Sequence, residues 1–210
     1  MKKEDLFWDW FKVNEAKFFF LNQINDNDEK ERILDDLLCH LHEYCDQLFF
    51  EIGGHPDERQ DLIITADGNS SFFNTVETLV NHAPALSHWN IVAFKPAIGS
   101  GIIEYNSLKL DSDAIYFMPL SSKASTKIGL RVYVMGYNIN NQKDFLTAIH
   151  LLLDNLLGEK STALDIGHVE VENLTTISQK DELIEFVKLP RYINGKNQDR
   201  RLNFGGALSK

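Results

Sequence analysis

Two thiols, two imidazoles and a carboxylate lie close together in the chain, within residues 39–45. Side chains of these types bind zinc and related metals. If the segment is helical, no more than three of the groups, Cys39, His42 and Glu43, share one face. Cys45 then points into the apolar face as an inert core thiol, and Cys39 lies opposite that face, exposed or against another element. We therefore expect no metal here, and no motif elsewhere indicates a cofactor.

Acid–base chemistry is the second possibility, in residues 53–59, where an imidazole, two carboxylates and a guanidinium follow two glycines. Active sites often lie on such loops, and so do ordinary hairpin tips. Asp67 begins a second loop ahead of a helix, where backbone N–H groups could hold an anion, although capping and turn formation explain its residues equally well. One hypothesis is therefore a hydrolase with an atypical site at one end of a sheet, using His55, Asp57, Glu58 and Asp67.

A third set of polar side chains, His168, Glu170 and Glu172, alternates with valines and so shares one face of a strand. Two carboxylates and an imidazole can transfer protons, but a solvated sheet surface has the same pattern. The sequence contains no nucleophile elbow, no P-loop, no dinucleotide-binding glycine motif, no His-Glu-x-x-His and no paired Cys-x-x-Cys. The familiar hydrolase, nucleotide-binding and zinc classes are disfavoured.

The composition is that of an ordinary globular protein. Of 210 residues, 43% are hydrophobic and 25% are charged, which argues against disordered or fibrous classes. The 31 Asp and Glu residues exceed the 21 Lys and Arg residues, for a net charge of −10, which opposes non-specific binding to nucleic acid or anionic membranes. The apolar runs are too short to predict a segment that crosses a bilayer, and the charged residues near Met1 lead us to expect no secretion leader. With only two cysteines, a reducing cytoplasm is the expected location.

The elements that must position these groups follow from the spacing of apolar residues. Helical spacing over residues 4–24, and again from Asp28 to about residue 46, predicts a helical hairpin over 1–46 with Asp28 as the N-cap of its second helix. The body, 47–174, should cover the apolar faces of this hairpin.

Within the body, the order strand, strand, helix, strand occurs twice, at 47–95 and at 114–174. Two such units predict an α+β fold with an antiparallel or mixed sheet and helices on one face. The predicted elements are strands at 48–52, 62–66, 89–94, 114–120, 127–137 and 166–174, helices at 71–83 and 142–157, and a small hairpin, an insertion or a lid, at 102–110.

Two aromatic side chains, Trp8 and Phe19, fall outside the apolar stripe of the first helix and lie among charged residues. They mark a surface that could contact another chain. The alternative is that this helix is buried on two sides, since large aromatic residues on a wide stripe usually belong to a core.

The segment 175–210 should contain one helical run, at 181–188, followed by a polar tail. From Lys188 onward there are six Lys and Arg residues against one acid, so the tail carries +5 and the remainder −15. The tail either folds back onto its own acidic body or acts as an arm that binds a partner. Few aromatic residues are available to stack on bases, which makes nucleic acid an unlikely partner. The candidate contacts are Arg191, Arg200 and Arg201.

Four stretches together resemble an uncharacterised family of bacterial proteins of unknown function. They are residues 8–11 followed by 14–15; 62–69; 83–86 with 89–96; and 156–159 before 166–167. The resemblance covers about residues 5–172 and leaves the basic tail outside. It implies a bacterial, cytoplasmic protein and transfers no catalytic or binding residue.

The lack of a catalytic signature favours a non-enzymatic interaction or regulatory module that presents an aromatic and acidic surface to a protein partner. The hydrolase is the alternative. A concave pocket in which acid–base groups converge with shifted pKa values would indicate the enzyme, and a flat apolar patch would indicate the module. The identity of the partner or substrate and the oligomeric state stay open at this point.

Overall fold

The structure is a computed structural model that describes residues 2–54, 58–120, 125–177 and 182–205, with the backbone alone from residue 199 onward. The contacts within the chain divide it into two compact units, Met1–Lys95 and Pro96–Lys210. The predicted helical hairpin and the first strand–strand–helix–strand unit therefore belong to one compact unit, and each unit is described in turn.

The first unit opens with the predicted helical hairpin: α1 (Lys3–Phe19), a 3₁₀ turn (Leu21–Gln23) and α2 (Asn27–Tyr44). The N-cap of α2 is Asp26, so the prediction of Asp28 was wrong. Asp26 has an extended backbone, and its carboxylate accepts the N–H groups of Asp28 and Glu29. Asp28 instead lies in the first turn, where its negative charge interacts favourably with the helix dipole.

Two strands, one helix and a third strand complete the first unit: β1 (Phe49–Gly53), β2 (Gln60–Thr65), α3 (Phe73–Asn81) and β3 (Trp89–Ala93). β1 and β2 form the predicted antiparallel hairpin, and β3 returns parallel to β2 after α3. The sheet order is β1-β2-β3, which makes β1 an edge strand. Alternate residues of β2, Leu62 and Ile64, are fully buried, because α2 packs on β1 and α3 packs on β2 and β3.

The second unit contains a hairpin and then a second strand–strand–helix–strand series. Its elements are β4 (Ile102–Tyr105), β5 (Leu108–Asp111), β6 (Tyr116–Leu120), β7 (Ile128–Val134), α4 (Gln142–Leu157), α5 (Glu159–Asp165), β8 (Ile166–Asn173), β9 (Ile184–Glu185) and α6 (Leu189–Gly205). β6 pairs antiparallel with β7, and β8 returns parallel to β7, which repeats the topology of the first unit.

The α+β class and the repeated topology are confirmed. The two units do not share a sheet among the described strands, since the sheets are β1-β2-β3, β4-β5 and β8-β7-β6-β9. Each of the two larger sheets is mixed within itself, with one antiparallel and one parallel partner for its central strand, β2 or β7.

The β4–β5 hairpin is a packed insertion. Leu110 is part of the core of the second unit, and Ile103 and Leu108 pack against that core. Asn106 occupies the turn with a φ of 51°, and its amide donates to the carboxylate of Asp144 on α4 at 3.1 Å. These contacts fix the hairpin to α4 and do not support the alternative of a lid.

The C-terminal segment differs from its prediction. The described part of 181–188 is β9 followed by a 3₁₀ turn, and the expected polar tail begins with helix α6. The helix forms because Leu189 and Ile193 are buried in the core of the second unit. Pro190 lies in the first turn, where its missing N–H has no helical partner to lose. Helix α5, in Glu159–Asp165, was also not predicted.

Candidate functional site

The predicted acid–base residues are not brought together. Glu58 precedes β2 and Asp67 follows it, and both are exposed. Because a strand advances about 3.3 Å per residue, the six residues of β2 alone separate them by roughly 20 Å. The expectation that these carboxylates share one end of a sheet was therefore wrong. His55 and Asp57 lie outside the described residues.

Asp67 has a structural partner. Its carboxylate lies 2.8 Å from the ammonium of Lys95, which is also 3.1 Å from the carboxylate of Glu51. Burial of Lys95 opposes its charge, but the hydrogen bonds that the ammonium donates to Asp67 and Glu51 outweigh this effect and raise its pKa. The three groups therefore form an ion cluster that ties β1 to the segments after β2 and β3.

The cluster at 39–45 is dispersed by its helix. Cys39 is exposed, as predicted, whereas Cys45 is only half-buried at the C-cap of α2 and is not a core thiol. The imidazole of His40 stacks on Trp10, and Nε2 of His42 lies 3.0 Å from a backbone carbonyl ahead of β1. In the part of the chain that the structure describes, no three His, Cys, Asp or Glu side chains are placed to hold a metal ion.

The polar face of β8 forms an ion-paired surface. Nη2 of Arg131 lies 2.8 Å from Oε2 of Glu170, its partner across the β7–β8 ladder, and Nε2 of His168 lies 3.2 Å from Oε1 of the same carboxylate. The hydrogen bond from Arg131 lowers the pKa of Glu170. A carboxylate held ionised in this way is a poor proton donor near neutral pH, so the arrangement matches the alternative of a solvated sheet surface.

The two aromatic residues predicted to lie at the surface have different positions. Trp8 is 2% exposed, and its indole N–H donates to the carbonyl of Leu79 on α3 at 2.8 Å. Its predicted exposure was wrong because α1 is covered on two sides, and the alternative of a doubly buried helix is confirmed. Phe19 is half-buried, with its ring 5.1 Å from that of His88. Neither residue forms an exposed aromatic surface.

The basic residues of the C-terminal segment are carried by helix α6. Arg191 is exposed near its start. Arg200 and Arg201 lie in the part of α6 where the backbone alone is described. Of these three side chains only that of Arg191 is described, and it faces solvent, whereas Leu189 and Ile193 are buried on the opposite face of the helix.

A groove that the sequence analysis did not predict lies in the first unit, beside β1. It has a volume of about 670 Å³ and runs between β1, the first half of α2 and the 3₁₀ turn after α1. Its apolar side chains, Leu21, Leu34, Phe50 and Ile52, are all half-buried. The polar side chains that line it are Asn22, Lys30, Glu51 and Gln60.

The β1 side of this groove is a free sheet edge. Gln60 donates its N–H to the carbonyl before β3 at 2.9 Å, and Ile64 accepts from the N–H after β3 at 2.8 Å. The N–H and C=O groups of one strand residue point to the same side, and this side alternates from one residue to the next. The backbone groups of Gln60, Leu62 and Ile64 therefore all point toward β3. The residues paired with Leu62 and Ile64 are Ile52 and Phe50, whose N–H and C=O groups therefore point away from the sheet. No hydrogen bond to these groups is present among the described residues.

The sequence contained only part of this signal. Alternation over 48–52 predicts the strand, but a free edge is a property of the whole sheet, which depends on where β3 pairs. The position of α2 beside that edge likewise depends on packing between elements that are distant in the chain.

Two further observations bear on the class of protein. None of the helices in the described ranges combines the length and the apolar composition needed to cross a membrane. A scan against protein-family models, a search of curated proteins and a search of solved structures each found no match to this chain. The resemblance to an uncharacterised bacterial family stays a prediction, and function has to be inferred from the geometry of the groove.

Proposed function

We propose that this protein is a non-enzymatic interaction module that binds an extended polypeptide segment of a partner protein along β1. The outward N–H and C=O groups of Phe50 and Ile52 are the observation that carries the proposal. They are spaced by two residues, as in a sheet ladder, so an added strand would form up to four main-chain hydrogen bonds with them.

The groove supplies the side-chain contacts that such binding requires. In strand addition, main-chain hydrogen bonds give affinity, and pockets for alternate side chains give specificity. Leu34 on α2 and Leu21 in the 3₁₀ turn line the wall opposite β1. Both are half-buried, so apolar side chains of a bound segment would cover them and remove more of their surface from water.

The composition of β1 also supports this proposal. Proteins usually place proline, lysine or a β-bulge in an edge strand, which prevents the strand from pairing with another chain. The sequence of β1, FFEIG, contains neither proline nor lysine, and its register with β2 is continuous. An edge that lacks these protections is suited to a partner strand.

The predicted alternative, a hydrolase, receives less support from the same unit. Its two described carboxylates lie at opposite ends of β2, and Asp67 is ion-paired with Lys95. The partner surface in this proposal also differs from the one expected from the sequence, since Trp8 is buried. A bacterial cytoplasmic location, expected from the family resemblance and the two cysteines, belongs to the same proposal.

The test begins with selection of a random octapeptide display library on the full-length protein. The affinity of an enriched peptide is then measured by fluorescence anisotropy against the wild type, Ile52→Pro and the control Ile52→Val. Proline at 52 removes an outward N–H and leaves the β1–β2 ladder intact, so we expect it to weaken binding at least tenfold, whereas valine should have little effect.

A second readout does not depend on the proline variant folding. Amide hydrogen exchange of Phe50 and Ile52, followed by NMR in the wild type, should be fast in the free protein and slowed by the bound peptide. Failure to enrich any peptide, or bound amides at 50 and 52 that exchange as fast as free ones, would overturn the proposed function.

A further inference from the structure

We infer that the segment bound along β1 carries a carboxylate beside its apolar side chains, and that Lys30 binds this carboxylate. The inference rests on the proposed function and specifies its ligand as an extended apolar peptide with an acidic group at one end of the bound stretch.

The first support is the charge within the groove. Lys30 lies in the first turn of α2 and lines the groove, and its ammonium has no ion pair or hydrogen bond within the described residues. The carboxylate of Glu51, which is also on β1, pairs with Lys95 at 3.1 Å. Strand alternation places Glu51 on the opposite face from Phe50 and Ile52. Glu51 also lines the groove, but its carboxylate is paired with Lys95, so Lys30 is the charged side chain of the groove that has no partner among the described residues.

The second support is the position of Lys30 along the groove. The chain passes directly from the end of α2 to the start of β1, so β1 runs back along α2 and ends near the start of that helix. Gly53 and Gly54 line the groove at this end together with Lys30. A Cβ atom at Gly53 would have no neighbour within 4 Å, which leaves space for a ligand group beside the ammonium. The carboxylate should accordingly lie at the glycine end of the bound segment.

Charge also argues against two other occupants. The C-terminal segment of this chain, from Lys188, has six basic residues against one acid and would be repelled by Lys30. A second copy could pair its β1 with this β1 in antiparallel orientation. The register that uses all four outward groups would then place two Glu51 carboxylates directly opposite each other, which is destabilising.

The experiment compares octapeptide selections on four full-length proteins: the wild type, Lys30→Ala, Lys30→Glu and the control Lys12→Glu. Lys12 is an exposed lysine of α1 that does not line the groove, so its variant makes the same change of charge elsewhere in the unit. The wild type and Lys12→Glu should enrich alternating apolar residues with Asp or Glu at one fixed position. Lys30→Glu should enrich Lys or Arg at that position, and Lys30→Ala should show no charge preference there.

Binding of a selected peptide measures the size of the effect. Replacement of its acidic residue by the amide should weaken binding to the wild type about fivefold, the contribution of a half-exposed ion pair. The same replacement should not change binding to Lys30→Ala. For the wild type, the difference in affinity between the acidic peptide and its amide analogue should also shrink as the salt concentration rises, because salt screens such an ion pair.

The outcomes separate this inference from the proposed function. Enriched peptides without an acidic position, or an acidic preference that survives in Lys30→Glu, would overturn the role of Lys30 and leave strand addition standing. Failure to enrich any peptide would overturn both. A wild-type dimer in sedimentation that Ile52→Pro dissociates would assign the edge to a second copy and would also overturn both.

Discussion

The imidazole of His40 lies flat on the indole of Trp10, with ring centroids 3.8 Å apart and planes within 10°. Trp10 belongs to α1 and His40 to α2, so the stack connects the two helices of the N-terminal hairpin. His40 lies in the second half of α2, and the first half of the same helix forms one wall of the proposed peptide groove.

His40→Ala should lower the free energy of unfolding by about 1 kcal/mol, the usual contribution of a stacked ring pair. His82→Ala is the control for the backbone contact, because His82 also contacts the carbonyl four residues earlier, at 2.7 Å against 2.9 Å for His40, and has no ring partner among the described residues. Asp36→Ala is the control for the carboxylate of Asp36, which lies 3.5 Å from Nδ1 of His40. Urea unfolding of the three variants measures the difference. Equal losses would show that the stack on Trp10 contributes nothing.

Trp8→Ala should be strongly destabilising, by about 3–5 kcal/mol, because a fully buried aromatic ring is removed from the core. Trp8→Phe keeps much of the apolar contact and loses the indole hydrogen bond to Leu79, so its loss should be about 1–2 kcal/mol. Guanidinium unfolding monitored by far-UV circular dichroism measures both. A loss below about 0.5 kcal/mol for Trp8→Ala would contradict the burial of this side chain.

The ion pair of Glu170 should make stability depend on pH. The hydrogen bond from Arg131 holds the pKa of Glu170 below its ordinary value of 4.5 in the folded state. The ion pair therefore contributes fully to the free energy of unfolding when the pH is above the ordinary pKa of the carboxyl group. The contribution is lost as the pH falls through the lowered pKa of the folded state. The free energy of unfolding by which the wild type exceeds Glu170→Gln should shrink on acidification below 4.5.

Glu172→Gln is the control for this measurement, because Glu172 lies on the same strand and has no ion pair in the described part of the chain. Urea unfolding at a series of pH values compares the three proteins. A wild-type advantage over Glu170→Gln that does not shrink below pH 4.5 would contradict the assignment.

Ile193→Ala should destabilise the second unit by about 2–4 kcal/mol, because Ile193 anchors α6 in a core that the sequence alone did not assign to it. Arg191→Ala, two residues earlier and exposed, should change stability by less than about 0.5 kcal/mol. Thermal unfolding of the two variants compares them. Similar small effects would indicate that α6 does not dock through Ile193.

The parts of the fold that sequence analysis predicted are those fixed by local periodicity. The helix expected at 142–157 is α4 with the same bounds, and the hairpin around Asn106 has the predicted strands. Such elements carry their own start and stop signals, including the glycine at 158 after α4, whose φ is 78°. The order of elements in both units followed from these signals.

The errors occurred where tertiary contacts decide. A single helix face does not reveal that α3 covers the far side of α1, and this contact buries Trp8. Pro190 and Gly195 have low helix propensity and suggested an irregular tail. Burial of Leu189 and Ile193 nevertheless stabilises the helix. The groove depends on which strand is left at the edge, and this is determined only when the whole sheet has formed.

The parallel pairing of β2 with β3 has a consequence for synthesis of the chain. β1 and β2 are neighbours in sequence and can pair as soon as both have left the ribosome, whereas β3 follows only after α3. Until β3 arrives, both sides of the nascent hairpin are open, and it is vulnerable to pairing with other chains. The arrival of β3 then closes the β2 side, so translation speed through the crossover segment should influence how much of the protein escapes aggregation.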